Sequence, residues 1–98
     1  MVRKRKPAHT PEESAHLNRV AKLGCLICGS LAEIHHVRTG QGGSQRATHF
    51  QVLPLCPRHH RLGAMGEAFH AGPRFWQAIH GTETALLLKV EAKLRGAA

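Results

Sequence analysis

Ninety-eight residues are enough for one domain with a thin core, since only Phe50, Phe69, Phe75 and Trp76 are aromatic and a chain of this size leaves much of its surface exposed. Fourteen Lys and Arg against six Glu and no Asp give a formal net charge of +8 and a pI near 10.5; this favours a polyanionic partner, nucleic acid first, and excludes a carboxylate cage around two metals. Three cysteines cannot form a closed disulfide set, and no apolar run approaches the roughly 20 residues of a membrane span, so a reduced, cytoplasmic chain with thiols on a metal is expected.

Residues 1–9 read as a basic flexible arm carrying Arg3, Lys4, Arg5 and Lys6, and residues 10–98 as a single domain. Met1 to Lys6 runs into polar residues without the apolar core of a secretory leader. Thr10-Pro11-Glu12-Glu13 has the form of a capping box, with Thr10 as N-cap and Pro11 in the first turn. The helix it opens should bury Leu17, Val20, Ala21 and Leu23 and stop at Gly24. "CLICG" follows as a tight turn, residues 32–37 alternate as a short strand, and residues 38–48 form a wide polar loop. Residues 50–55 read as the returning strand of a hairpin, limited by Pro54 to an edge or to its last ladder positions. Residues 56–62 read as a short helix with Pro57 in its first turn. Two further helices are expected over residues 73–80 and from Thr82 or Glu83 to Arg95, the latter burying Leu86, Leu87, Val90 and Leu94.

Cys25-x-x-Cys28 and Cys56-x-x-His59 are two knuckles of equal spacing separated by the hairpin. Folded back, they bring three thiolates and one imidazole to a point, the closed tetrahedral set of a structural Zn2+. The plainer alternative is two unrelated cysteine groups in a reduced core. A second register, with His60 on the zinc and His59 elsewhere, also remains open. Either way, the paired histidines His35-His36 and His59-His60 leave imidazoles that the zinc does not use.

The order C-x-x-C, then "IHHV", a Gly-rich loop and "THFQVLPLCPRHH", followed by "AFHAGPRF" and "HGTETALL", resembles the HNH, or ββα-metal, endonucleases. It is most similar to the Ref family of phage recombination-enhancement nucleases, over Cys25 to about Leu87. The resemblance implies an α+β fold: a small zinc-stapled ββα-metal core with an N-terminal helix and one or two C-terminal helices. It implies that His36 is the general base activating water for attack on a phosphodiester. It places His35 and His60 on a single catalytic Mg2+ or Mn2+ ion, with Zn2+ as a further candidate. His70 is unassigned: it completes that site, serves as a second zinc ligand, or is a surface histidine in a loop. The asparagine usual in the middle of the motif is replaced, with His49 rather than Gln51 in the bracing role.

The expectation is therefore a metal-dependent DNA endonuclease or nickase from a phage or prophage, working in the bacterial cytoplasm. The resemblance adds cutting of DNA held in a RecA–ssDNA filament. Phosphate contacts are assigned to the basic arm and to Arg38, Arg46, Arg58 and Arg61. The competing expectation is a non-catalytic zinc-ribbon DNA-binding or adaptor module, in which His35, His36 and His60 pack or touch phosphate. No membrane partner is expected, and the oligomeric state is left open.

Overall fold

The computed structural model describes residues 9–40 and 48–96; the arm residues Arg3, Lys4, Arg5 and Lys6, and Arg46 in the polar loop, lie outside them. The first helix, α1 (Pro11–Lys22), is entered through the expected capping box. Glu13 N–H donates to Thr10 Oγ1 at 3.2 Å and Thr10 N–H donates to Glu13 Oε1 at 2.7 Å. Val20 enters the core from this helix, with Leu17 and Leu23 packed at the edge. Gly24, at φ +81°, then reverses the chain. A Cβ there would meet Gly29 O at 2.9 Å, because the knuckle closes tightly: Cys25 N–H donates to Ser30 O and Gly29 N–H to Cys25 O, both at 2.8 Å.

The hairpin is shorter than the alternation suggested. β1 (Glu33–His36) pairs antiparallel with β2 (Val52–Leu55), with Glu33 opposite Leu55 and His36 opposite Val52. Phe50 falls outside β2 and is about half exposed, its ring 5.3 Å from that of His16. The alternation of a strand sends Glu33 and His35 to one face of β1 and Ile34 and His36 to the other. Pro54 offers no N–H to the ladder, but its carbonyl accepts from Leu26 N at 3.0 Å, tying the knuckle to the sheet.

Beyond β2 the expected helix is a single π turn over Arg58–Leu62, closed by Gly63 N–H donating to Arg58 O at 3.0 Å. A 3-10 turn, Phe69–Ala71, buries Phe69. α2 (Pro73–His80) buries Trp76, whose indole N–H donates to Glu67 O at 3.0 Å. α3 (Glu83–Gly96) buries Leu86 and Val90, with Leu87 and Leu94 partly covered. Because α1 and α3 both pack on β2, all four of its residues are buried and its apolar run needs no alternation. The result is a small α+β fold whose core joins Val20, Val52, Leu53, Leu55, Phe69, Trp76, Leu86 and Val90. No helix among the described residues is long and apolar enough to cross a membrane.

Candidate metal centres

The hairpin and the π turn bring the two knuckles together, and Cys25, Cys28, Cys56 and His59 form a cluster able to hold a metal ion. Cys28 Sγ is 3.7 Å from Cys56 Sγ, and His59 Nδ1 is 3.2 Å from Cys56 Sγ and 3.7 Å from Cys25 Sγ. Zinc–sulfur bonds of about 2.3 Å at tetrahedral angles require sulfurs about 3.8 Å apart, so the donors stand at ligating separations. Ile27 N–H donates to Cys25 Sγ at 3.4 Å, and Cys28 Sγ lies 3.3 Å from Ser30 Oγ. The hydroxyl and backbone of Ser30 hold the Cys28 thiol down to about 6, whereas burial pushes Cys56 up. A cation would draw all three to thiolate, the form that binds metal.

A second cluster gathers His35, His60 and His70, whose ligating atoms lie within 4.8 Å of one another. His60 Nε2 is 3.1 Å from His70 Nε2, one ring donating to the other. His35 is 1% exposed, His60 is half-buried and His70 is exposed, so the cluster opens towards solvent on one side. Burial lowers the pKa of both His60 and His70, partly opposed at His60 by Glu33; this favours the neutral, ligating imidazole. An open cleft of about 450 Å³ adjoins His70, lined also by Arg38, Thr39, Phe69, Pro73, Gln77 and Glu83.

His36 does not enter either cluster. Its Nε2 is 2.9 Å from His49 Nδ1, a hydrogen bond between the two rings, and His9 stacks edgewise on His49 at 5.2 Å. The strand thus separates neighbours: His35 turns inward to the imidazole cluster, His36 outward to His49. The arginines are more engaged than their charge suggested. Arg58 reaches Glu67 through Nε at 2.8 Å and Nη2 at 2.5 Å, and Arg61 reaches Glu33 through Nε at 2.7 Å. Arg38 is exposed, with its backbone N–H held by Glu83.

Sequence reasoning missed two carboxylates. Glu33 Oε2 lies 2.5 Å from His60 Nδ1, and the i, i+2 spacing of Glu33 and His35 on β1 was a signal that both share one face. Glu83, read as an ordinary helix residue, is 1% exposed and lies 2.6 Å from His35 Nε2. A separation of 48 positions leaves no local signal.

Fold and site together describe a small α+β domain carrying a cysteine–histidine cluster able to hold a metal ion. The chain belongs to the DUF968 family, described as a protein of unknown function, whose profile matches residues 2–94. No curated protein and no solved structure matches it.

Proposed function

We propose that this chain is a metal-dependent DNA endonuclease or nickase of HNH type. The observation that carries the reading is a division of labour between two clusters. One set of four ligands is closed, as in structural zinc sites; the other offers three imidazoles and an open side, as in catalytic sites. The excess of basic residues supplies the attraction to DNA.

In this reading Cys25, Cys28, Cys56 and His59 hold a structural zinc, and His35, His60 and His70 hold the catalytic divalent ion. That ion would stabilise charge on the phosphorane and on the leaving 3′-oxygen. His36 accepts the proton of the attacking water, and the contact with His49 fixes the orientation of its ring. Because His35 and His36 leave opposite faces of β1, the phosphate must lie over the end of that strand, where both can reach it. Arg38, at the rim of the cleft beside His70, is placed to steer the backbone. Recombination intermediates bearing a RecA filament are the substrates the family resemblance suggests.

A second reading has its own observation. His35 is buried and already bonded to Glu83, which also suits a non-catalytic zinc module that binds DNA. Supercoiled plasmid with Mg2+ or Mn2+ separates the two. Catalysis predicts nicking by the wild type, about 10²–10⁴-fold slower in His36→Ala, a loss of the size general-base catalysis contributes. In His60→Ala it predicts a raised metal requirement with the thiolate-bound metal retained. DNA binding without cleavage at any metal concentration would support the second reading.

A further inference from the structure

A buried carboxylate is costly unless its lone pairs are used, and those of Glu83 are. Oε1 accepts from Thr39 Oγ1 at 2.7 Å, Thr39 N at 2.9 Å and Arg38 N at 3.1 Å. Oε2 accepts from Arg38 N at 2.9 Å and faces His35 Nε2 at 2.6 Å. Glu83 itself is fixed from behind, its backbone N–H donating to Gln77 Oε1 at 2.9 Å.

An ionised carboxylate only accepts hydrogen bonds, so His35 must donate from Nε2. A neutral imidazole has a single N–H, which leaves the lone pair on Nδ1. The same logic at His60 gives a check: Glu33 takes Nδ1, and the nitrogen left over, Nε2, is the one facing His70. We infer that Glu83 is a positioning residue of the three-histidine centre: it holds the His35 proton on Nε2, presents Nδ1 to a metal, and pins the Arg38–Thr39 turn at the rim of the same cleft. This rests on the reading of His35, His60 and His70 as a metal centre. One carboxylate thereby sets both a ligand atom and the cleft wall that carries Arg38.

Glu83→Gln separates this role from a merely structural one. The two Thr39 donors reach Oε1 alone and require the amide oxygen there, and Arg38 N–H, shared between both oxygens, can follow it at 3.1 Å. The NH2 group is then forced onto His35 Nε2, and the ring must move its proton to Nδ1. Nitrogen-15 imidazole spectra of the full chain, with its Cys/His metal in place and the imidazole site cleared by a mild chelator, read the tautomer directly. The wild type should show His35 protonated on Nε2, and Glu83→Gln on Nδ1. Co2+ titrated into the two proteins should bind the three-histidine site about 10–100-fold more weakly in the variant, the usual cost of losing a ligand-orienting partner. Metal at the cysteines should not change.

A wild-type His35 protonated on Nδ1 would overturn the inference, and this measurement needs no variant that folds. So would equal Co2+ affinity in wild type and Glu83→Gln. If the wild type bound no Co2+ beyond what His60→Ala binds, the metal centre itself would fall, and the role of Glu83 as its positioning residue with it. Binding that depends on His60 but not on Glu83 would sink only the present inference.

Discussion

Two pairs of adjacent histidines are each divided between two tasks. On β1 the division follows from strand geometry, which sends His35 inward and His36 outward. At the π turn, His59 faces Cys25 and Cys56 while His60 faces His70. The buried charge that accompanies His35 makes a pH prediction. Burial raises the pKa of Glu83, but hydrogen bonds from His35, Thr39 and Arg38 outweigh it and hold the group at about 2, against an ordinary 4.5. A depressed carboxylate pKa stabilises the fold above the unfolded value, and that contribution disappears as pH falls through the folded one. The difference in unfolding free energy between wild type and Glu83→Gln should therefore shrink as pH falls between about 4.5 and 2. The part that depends on pH is on the order of 3 kcal/mol. Denaturant melts across that range check it; a difference independent of pH would mean the carboxylate gains nothing from its donors.

The element that decides the site is the π turn. A regular helix after β2 would have continued with i→i−4 bonds; instead Gly63 N–H closes on Arg58 O, five residues back. Such turns are rare and recur at functional sites. Gly63 is what lets this one close, since a Cβ there would stand 2.5 Å from Arg58 O and 2.8 Å from Glu67 Cβ. Its backbone is in the extended region, so the restriction is crowding and not φ. Gly63→Ala should cost about 1–3 kcal/mol, the usual range for overpacking, and lower the melting temperature by about 5 °C or more. Calorimetry measures it. A variant melting with the wild type would mean the turn has slack the geometry does not suggest.

Over the whole molecule, the core is small and the Cys/His cluster sits against it, with Cys25 and Cys56 both in the buried set. Metal binding in comparable small sites is worth roughly 10–16 kcal/mol, as much as the entire stability of an ordinary domain, about 5–15 kcal/mol. Removing the metal with a strong chelator should therefore abolish the cooperative melt. His59→Ala should do the same, whereas His60→Ala should still fold and melt cooperatively. Circular dichroism with and without chelator decides it, and a native-like melt of metal-free protein would show the staple to be dispensable.

Local chemistry wrote much of this structure into the chain. The Thr10–Glu13 capping box, the stop at Gly24, the span of α2 and the buried stripe of α3 all depend on residues within a turn or two of each other, so they can be read directly. The equal spacing of the two knuckles likewise made the four-ligand cluster legible, because a short loop fixes which donors can meet. What remained hidden depends on contacts distant in sequence or on competition between bonding patterns. Phe50 left the strand, the helix after Cys56 became a π turn, and the arginines near the site found Glu33 and Glu67. Glu83 reached across the fold to His35, and only the packing of α3 against β2 decides that the two can touch.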